Sequence, residues 1–542
     1  MPETEDQREG LTLEVSADDP DEEARAATSR VLLSHPVMRH EFPTGDLWLV
    51  RFELLEKEGP SNRFSALVQD TVTGRMMAGR GLVGEPSSVD LLPLSNQRAP
   101  NDEEFAWAVS ALSGDEELSA VLAEPGASTY RPVPPLANVA NPDGSVDRVI
   151  AVGIRSGGGE PLHRIVGVRT DDGTVVAEPF GAPSVWNEEC GVAPSDGECP
   201  QPTGPAQARV GLATGQEVLW QLLVVRPSAS SGTNGSGVEL REVDYKGQRV
   251  LERAHIPIVT VRDDDEGSGC GPSSRVWLYE EACFGAKGVD QHPGFRICSE
   301  PPSTILDTGD PGGDFRGVAV WSDGEDLLIV SQLQAGWYRY VTEWRLRFDG
   351  TIQPRFGVAT TRNPCTCRTQ VHHAYWRFDF DILGPANNLV QEHNDEPVMG
   401  TSPWHTTHHE VRRDRDVDGH RYWRVRNVRS SQGYSLVPGE GDGEADDYGV
   451  GDVWILRQHD DEIDDGQGLT TDPAVSRAQL DRFVNGESVE RQDVVLWYSG
   501  HLRQEPGDAG RRMGPDLVPS NWRDLPTTTE RFAPPEPPRR PD

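Results

Sequence analysis

The sequence has no apolar run long enough to cross a membrane, and it has little hydrophobic material overall. Only 35% of its 542 residues are hydrophobic, and no run reaches the roughly 18 apolar residues that a membrane-spanning helix needs. The first ten residues, MPETEDQREG, contain neither the basic segment nor the apolar segment of a signal peptide. These absences predict a protein with no membrane partner, and the cytoplasm is the default expectation for its location.

Positive charge is also scarce. The chain carries 51 lysines and arginines against 88 aspartates and glutamates, which gives a formal net charge of −37. It therefore lacks the basic surface that nucleic acids and anionic membranes attract, so we expect no nucleic-acid partner. An acidic surface would attract cationic amines, although a simply solvated acidic surface explains the same excess.

Cysteine is rare, and its spacing is irregular. There are seven cysteines, and no Cys-x2-Cys pair recurs, which argues against a structural zinc site. Cys190 and Cys199 lie in one polar loop rich in glycine and proline, where a short disulfide is possible. Cys365 and Cys367 are too close in sequence for an ordinary bridge to each other.

Glycine and proline are abundant, at 56 and 43 residues, and they separate many short alternating runs. This pattern predicts a mainly β protein. We expect a large antiparallel β-sandwich over residues 147–525, preceded by a small α+β domain over 29–136. Residues 1–28 are acidic and aperiodic, which predicts a disordered arm. Residues 526–542 form a tail rich in proline and arginine.

Capping residues place two helices inside the small domain. Asn101 or Asp102 can cap a helix that begins after Pro100 and carries apolar residues at helical spacing. A second helix is predicted at about residues 115–123. An alternating run at 47–54 precedes both helices, so this domain combines a small sheet with helices.

The most strongly patterned stretch covers residues 336–381. Two alternating runs, Tyr338–Phe348 and Thr351–Val358, meet at Asp349-Gly350, which is a strong β-hairpin signal. A third run, Gln370–Ile382, alternates His, Arg and Asp with Trp and Phe. Because buried polar groups need partners, this run predicts a polar site inside a β protein.

This stretch resembles the copper amine oxidases. Gly336–Tyr340 falls on the family's tyrosine signature, and Arg377–Asp381 falls on its arginine and aspartates. Six further blocks match the family and stand in the family's order, two before this stretch and four after it, within residues 205–525: Val243–Ala254, Tyr279–Gly285, Arg421–Asn427, Gly433–Gly439, Asn485–Val489 and Asp493–Tyr498.

The resemblance implies a homodimer that oxidises a primary amine to an aldehyde and reduces O2 to H2O2. The family's chemistry runs through Cu(II) and a topaquinone that copper and oxygen make from a tyrosine. Tyr338 stands at the position of that tyrosine, so it is the implied cofactor precursor. Glu280 stands at the position of the base that removes the α-proton from the bound amine.

The resemblance also implies two metal sites. Copper would be held by His372, His373 and His501, and a β-bulge would be needed to bring the first two to one face of a strand. A second, calcium-type site would use the carboxylates and one backbone oxygen of Asp379, Phe380, Asp381 and Asp493.

Several family positions carry other residues here. Trp337 and Arg339 replace an asparagine and an acid beside Tyr338, and Gln370 replaces the first strand histidine. The spacing from Asp493 to His501 is about three residues shorter than the family's. The alternative is therefore a homologue without copper or quinone that acts as a binding or structural protein.

A second histidine cluster lies outside the family's ligand positions. It comprises His405, His408 and His409. A polar surface segment is the simpler interpretation of this cluster, and its role stays open.

Overall fold

The computed structural model describes residues 10–14, 20–42, 47–55, 62–70, 75–94, 97–140, 146–157, 163–181, 189–193, 195, 199–215, 217–263, 269–508 and 511–522. Over this part of the chain the protein is mainly β and forms four sheets, which confirms the predicted fold class. The predicted tail at 526–542 lies outside the described residues. No helix among those described is long and apolar enough to cross a membrane.

Two large sheets make up the sandwich. The first contains, in order of pairing, Leu11–Glu14, Gln207–Thr214, Glu217–Val225, Glu239–Tyr245, Gln248–Asp263, Gln370–Phe380, Val494–Gln504, Val453–Arg457 and Val411–Arg413, with Ser274–Arg275 beside Gln248–Asp263. The second contains Gly288–His292, Phe295–Cys298, Val318–Ser322, Leu327–Ala335, Tyr338–Leu346, Ile352–Thr360, Asp516–Ser520, Gly433–Val437, Tyr422–Asn427, Asn388–His393 and Trp404–Thr406, with Arg512–Met513 beside Ile352–Thr360.

The chain before the sandwich builds two small α+β units, whereas we expected one. The first joins helices Pro20–Ser34 and Pro36–Glu41 to a sheet of Leu47–Leu55, Arg63–Asp70, Met76–Leu82 and Asp90–Leu94. The second joins helices Asp102–Ala111 and Glu116–Leu122 to a sheet of Ser128–Tyr130, Leu136–Ala140, Val146–Arg155, His163–Arg169 and Val175–Val176. Each unit has its own apolar core.

The strands at 146–176 therefore belong to the second small unit, although we assigned them to the sandwich. Alternation along a strand is the same in either sheet, so it could not distinguish the two. The packing distinguishes them, because Leu112 and Leu118 from the helical segment share a core with Ile150 and Val166.

The predicted disordered arm at 1–28 is also corrected for its described residues. Leu11–Glu14 pairs with Gln207–Thr214 at the edge of the first large sheet. Pro20–Ser34 is a helix, and its Leu32 is fully buried in the first small core. The acidic composition hid these apolar positions: Leu11 and Leu32 are both buried, and burial of apolar side chains favours the ordered state.

The two helices of the second small unit begin where their caps predict. The Asn101 side chain accepts a hydrogen bond from the Glu104 backbone N–H at 2.8 Å, and the Glu104 carboxylate accepts one from the Asn101 N–H at 2.9 Å. This reciprocal capping box satisfies two N–H groups that a helix start leaves without partners. Asp115 caps the following helix by accepting from the Leu118 N–H at 3.0 Å.

The predicted hairpin is confirmed. Tyr338–Leu346, here called the tyrosine strand, pairs with Ile352–Thr360, and the turn between them places Gly350 at φ +89°. Gln370–Phe380, here called the histidine strand, lies in the other large sheet. Because Tyr340 and His372 are in contact, these two strands face each other across the core of the sandwich.

Three disulfides link distant segments: Cys190–Cys367, Cys199–Cys283 and Cys270–Cys365. The possible Cys190–Cys199 bridge is therefore wrong, because each of these cysteines meets a cysteine from another part of the fold. Cys298 is buried and free. Two of the bridges fix the loop that leads into the histidine strand.

The remaining described helices are short. They comprise the α-helices Ile305–Thr308 and Pro473–Ser476 and the 3-10 turns Pro86–Ser88, Leu112–Gly114, Pro227–Ala229, Pro364–Thr366 and Leu480–Phe483.

Candidate functional site

The implied quinone precursor, Tyr338, lies between the two large sheets. Its side chain is 1% exposed, and its ring meets the His372 ring edge-on with a centroid separation of 4.9 Å. Tyr340 projects to the same side, 5.6 Å from Tyr338 between ring centroids. Burial raises the pKa of both phenols well above the usual value, so both hydroxyls stay protonated.

Both ring nitrogens of His372 have protein partners. Nε2 lies 3.1 Å from the Gln504 side-chain oxygen, and Nδ1 lies 3.1 Å from the Tyr340 hydroxyl. Because an amide oxygen can only accept, Nε2 carries the proton and Nδ1 accepts from Tyr340. Burial lowers the pKa of His372 to about 3, so the imidazole is neutral.

Glutamines occupy the two positions beside His372 on this inner face. Gln370 precedes His372 by two residues, so the two side chains share a face, and Gln504 lies opposite Gln370 on the neighbouring strand. The Gln370 amide donates to Asp263 at 3.0 Å. Gln504 also stands three residues beyond His501, where the family's spacing would place the third histidine.

His373 and His501 lie on the opposite face of the sheet, so the predicted copper set is not assembled. Pairing along the histidine strand runs without a register shift from Gln370 opposite Gln504 to Phe380 opposite Val494, so no bulge turns His373 inward. His373 and His501 meet through their Nδ1 atoms at 2.8 Å. His501 is also 3.1 Å from Asp452 through Nε2.

The residues around Tyr338 do not fit copper held by three imidazoles. His372 is the one imidazole among the three, and both of its nitrogens are engaged with the protein. The other two positions are amides, which suit Cu(II) poorly compared with imidazole. Because the family makes its quinone with copper, the expectation of a quinone at Tyr338 loses its support as well.

Glu280, the implied base, is held in an ion pair. Its carboxylate accepts from the Arg131 guanidinium, while its backbone oxygen accepts from the Gln334 N–H at 2.9 Å. Burial raises the pKa of Glu280, and Arg131 opposes that shift. The next residue, Glu281, is fully buried and forms a two-bonded pair with Arg226, which fixes this segment.

Glu280 lines a cavity of about 470 Å3 between the second small unit and the sandwich. Trp337 and Arg339 line it as well, but the intervening Tyr338 does not. The Trp337 ring lies between the cavity and Tyr338, and it packs edge-on against Tyr338 at 5.9 Å between centroids. The structure thus separates the implied base from the implied cofactor precursor.

The predicted calcium-type ligands do come together. Asp379, Asp381 and Asp493 offer carboxylate oxygens that all lie within 4.8 Å of one another. Within the described residues they are the one group of three or more acidic, histidine or cysteine side chains placed to hold a metal ion. Arg377 lies 3.7 Å from Asp379 and offsets part of the negative charge. Phe380, the fourth predicted ligand, ends the histidine strand and lies between Asp379 and Asp381 in the chain.

The second histidine cluster occupies a polar surface segment. His408 pairs with Glu490 at 3.1 Å, and both side chains are largely exposed. His409 contacts the Gly486 backbone oxygen at 3.2 Å. His405 does not join them in a three-residue metal group.

Solved structures of amine oxidases share this fold. An amine oxidase from Aspergillus nidulans matches at 15% identity and TM-score 0.54, over 93% of this chain and 88% of that one. A copper-containing benzylamine oxidase from Hansenula polymorpha matches at 12% identity and TM-score 0.57, over 92% of this chain and 97% of that one. The Pichia pastoris lysyl oxidase matches at 11% identity and TM-score 0.52, over 88% of this chain and 85% of that one.

This similarity establishes the copper amine oxidase fold and no more, because the identities are low. No protein-family model and no curated protein matches the sequence.

Two features of the site were missed from the sequence. Gln504 could have been found, since the short spacing to His501 already pointed three residues further on. The cavity arginines had no such signal: Arg131, Arg155, Arg316, Arg339 and Arg362 come from separate segments that only the fold brings together.

Proposed function

We propose that this chain is a ligand-binding protein on the copper amine oxidase scaffold that works without copper or topaquinone. The observation that carries the proposal is the environment of His372, whose two nitrogens are bound by Tyr340 and Gln504. A metal ion could take either nitrogen only by breaking a buried hydrogen bond and leaving a polar group without a partner.

The arrangement around the cavity supports the same proposal. Tyr338 is sealed in the core, and the cavity is lined instead by its neighbours Trp337 and Arg339. Glu280 faces the cavity but is paired with Arg131. A general base must reach the proton that it removes, and this carboxylate is already committed to a cation.

The competing function is oxidative deamination of a primary amine, with Tyr338 as the quinone precursor and Glu280 as the base. The retained Tyr338–His372 contact and the shared fold favour it. The homodimer implied by the family resemblance is compatible with either function and stays a proposal.

Aerobic copper loading distinguishes the two functions. The purified protein is incubated with Cu(II) in air, desalted, and assayed for bound copper and for a visible band that phenylhydrazine shifts. We expect copper well below one ion per chain and no quinone band. Stoichiometric copper together with a band that shifts would overturn the proposal and establish the oxidase.

A further inference from the structure

The cavity beside Glu280 is basic, although the protein as a whole is strongly acidic. Its described lining includes five arginines, namely Arg131, Arg155, Arg316, Arg339 and Arg362, against the two carboxylates of Asp102 and Glu280. Asp102 is fully exposed at the rim. A chain with a net charge of −37 has thus concentrated positive charge in one recess, where low-dielectric walls strengthen its field.

Three of these arginines have no carboxylate partner among the described residues, namely Arg316, Arg339 and the exposed Arg362. Arg339 donates to the backbone oxygens of Gly336 and Tyr338 at 3.1 and 3.0 Å. Arg316 contacts the Gln201 side-chain oxygen and the Cys283 sulfur. Neutral acceptors leave both guanidinium charges uncompensated by direct contact.

Two buried donors around the cavity also lack acceptors in the described structure. The Nε atoms of Arg131 and Arg316 are buried without a hydrogen-bond partner. A buried donor without a partner costs free energy, so such groups usually have a protein, water or ligand acceptor. Both belong to residues that line this cavity, and each can only donate.

Burial affects the Arg339 charge in the direction expected for an arginine without a direct counter-ion. It lowers the pKa of Arg339 to about 10, with Arg316 adding to the effect and Glu280 opposing it. At neutral pH the guanidinium nevertheless stays charged, so it remains available to an anion.

We infer that this cavity binds a small organic anion, a carboxylate or phosphate attached to an aromatic or apolar group. Arg316 and Arg339 would receive the anionic group, because a planar guanidinium matches carboxylate and phosphate oxygens. Phe105 and Tyr130, which are both half-buried, line the same cavity and provide apolar surface for the rest of the ligand. The volume suits one drug-sized molecule.

This inference deepens the proposed ligand-binding function and rests on it. It also excludes the cationic ligand that the scaffold's relatives suggest, because a primary ammonium would meet the uncompensated arginines while Glu280 stays paired with Arg131. The acidic exterior would attract cations in general, but the cavity itself selects against them.

Isothermal titration calorimetry at low ionic strength, on copper-free protein, tests the inference. The probes are phenylacetate, phenyl phosphate and 2-phenylethylamine, which share an aromatic ring and differ in the charged group. We expect at least one of the two anions to bind about tenfold or more tightly than the amine, and its affinity to fall with added salt. The tighter anion identifies the natural ligand as a carboxylate or a phosphate.

Charge-removing variants locate the binding site. R316Q and R339Q should each weaken binding of the preferred anion about tenfold or more. R345Q is the matched control, since Arg345 lies on the tyrosine strand with Arg339 but pairs with Asp326 outside the cavity. It should bind as the wild type does. Thermal unfolding of each variant establishes that it is folded. If R339Q does not fold, R316Q alone is enough to locate the binding site.

Three results would overturn the inference: neither anion binds, the amine binds as tightly as both anions, or R345Q loses as much affinity as R316Q. Each is independent of copper loading. Copper-free protein that binds no anion refutes the anion site and leaves the ligand-binding proposal standing, whereas stoichiometric copper with a quinone refutes that proposal.

Discussion

At the residue scale, the partners of His372 weigh most strongly against copper. Its neutral ring lies between the Tyr340 hydroxyl and the Gln504 amide, and Gln370 lies beside it on the same face. Replacing the two glutamines by histidines would place three imidazoles on one face of two adjacent strands, which is an arrangement suited to Cu(II).

We therefore predict that the double variant Q370H/Q504H gains copper binding. Metal analysis after loading and desalting should give about one copper per chain for the double variant and far less for the wild type. The matched control Q370H/Q458H places its second histidine at Gln458, another buried glutamine outside this face, and should stay low. Equal copper in the wild type and the double variant would contradict this role for the glutamines.

The same histidine predicts how stability depends on pH. The pKa of His372 is lowered to about 3 in the folded protein from an ordinary value of 6.5. Between these values the unfolded chain binds a proton that the folded chain does not, so the free energy of unfolding falls as pH drops from about 6.5 toward 3. One such histidine contributes at most about 1.4 kcal/mol per pH unit.

Urea unfolding at several pH values checks this dependence. The variant His372→Gln should show a shallower loss of stability with acid than the wild type. His292→Gln, at an exposed position outside the core, is the control for replacing a histidine. An identical slope in His372→Gln and the wild type would contradict the assignment.

At the scale of elements, strand register decides which side chains meet. The hairpin at Asp349-Gly350, the helix caps and the alternation of the histidine strand were all readable from the sequence, because each depends on residues close together in the chain. The face to which His373 points depends on pairing with Val494–Gln504, more than a hundred residues away. Local patterns carry no information about that register, so the sequence alone could not decide whether a bulge turns His373 inward. The regular pairing in the structure excludes it.

The histidine strand and its neighbour also bring Asp379, Asp381 and Asp493 together, as the resemblance implied. A hard cation bound there would stabilise the native state by mass action, by about 2.7 kcal/mol at a concentration one hundred times its dissociation constant. We predict that removing calcium with EGTA lowers the thermal unfolding midpoint and that adding calcium restores it.

The variant Asp493→Asn should remove this response to calcium. Asp326→Asn, a carboxylate outside the group, should keep it and serves as the control. A wild-type midpoint that does not change with chelator would show that the three aspartates hold no calcium.

At the scale of the whole molecule, composition predicted the fold class but not its subdivision. Short alternating runs identified a mainly β protein, yet they could not show that the strands at 146–176 pack under helices of a second small unit. The cavity could not be predicted for the same reason. Its arginines are spread from Arg131 to Arg362 and come together only where the second small unit meets the sandwich. Glu280 and Arg339 were identified individually from the sequence, but the cavity that they share with arginines from other segments was not predicted.

The three disulfides bear on where the protein works. Such bridges persist in oxidising compartments and are rare in the cytosol, so they weigh against the cytoplasmic expectation, which remains a prediction. We predict one free thiol per chain, Cys298, when unfolded, unreduced protein is labelled with a maleimide. The folded protein should label slowly, because burial raises the pKa of this thiol to about 12. Seven labelled thiols without reduction would show that the bridges do not form.

The fate of Tyr338 tests the absence of quinone chemistry most directly. After aerobic incubation with Cu(II), the protein is digested and the mass of the peptide containing Tyr338 is measured. We expect the mass of unmodified tyrosine, because His372 and two glutamines provide no copper site beside the ring. A gain of two oxygen atoms with loss of two hydrogens on Tyr338 would show that the quinone forms, and would contradict the proposed copper-free function.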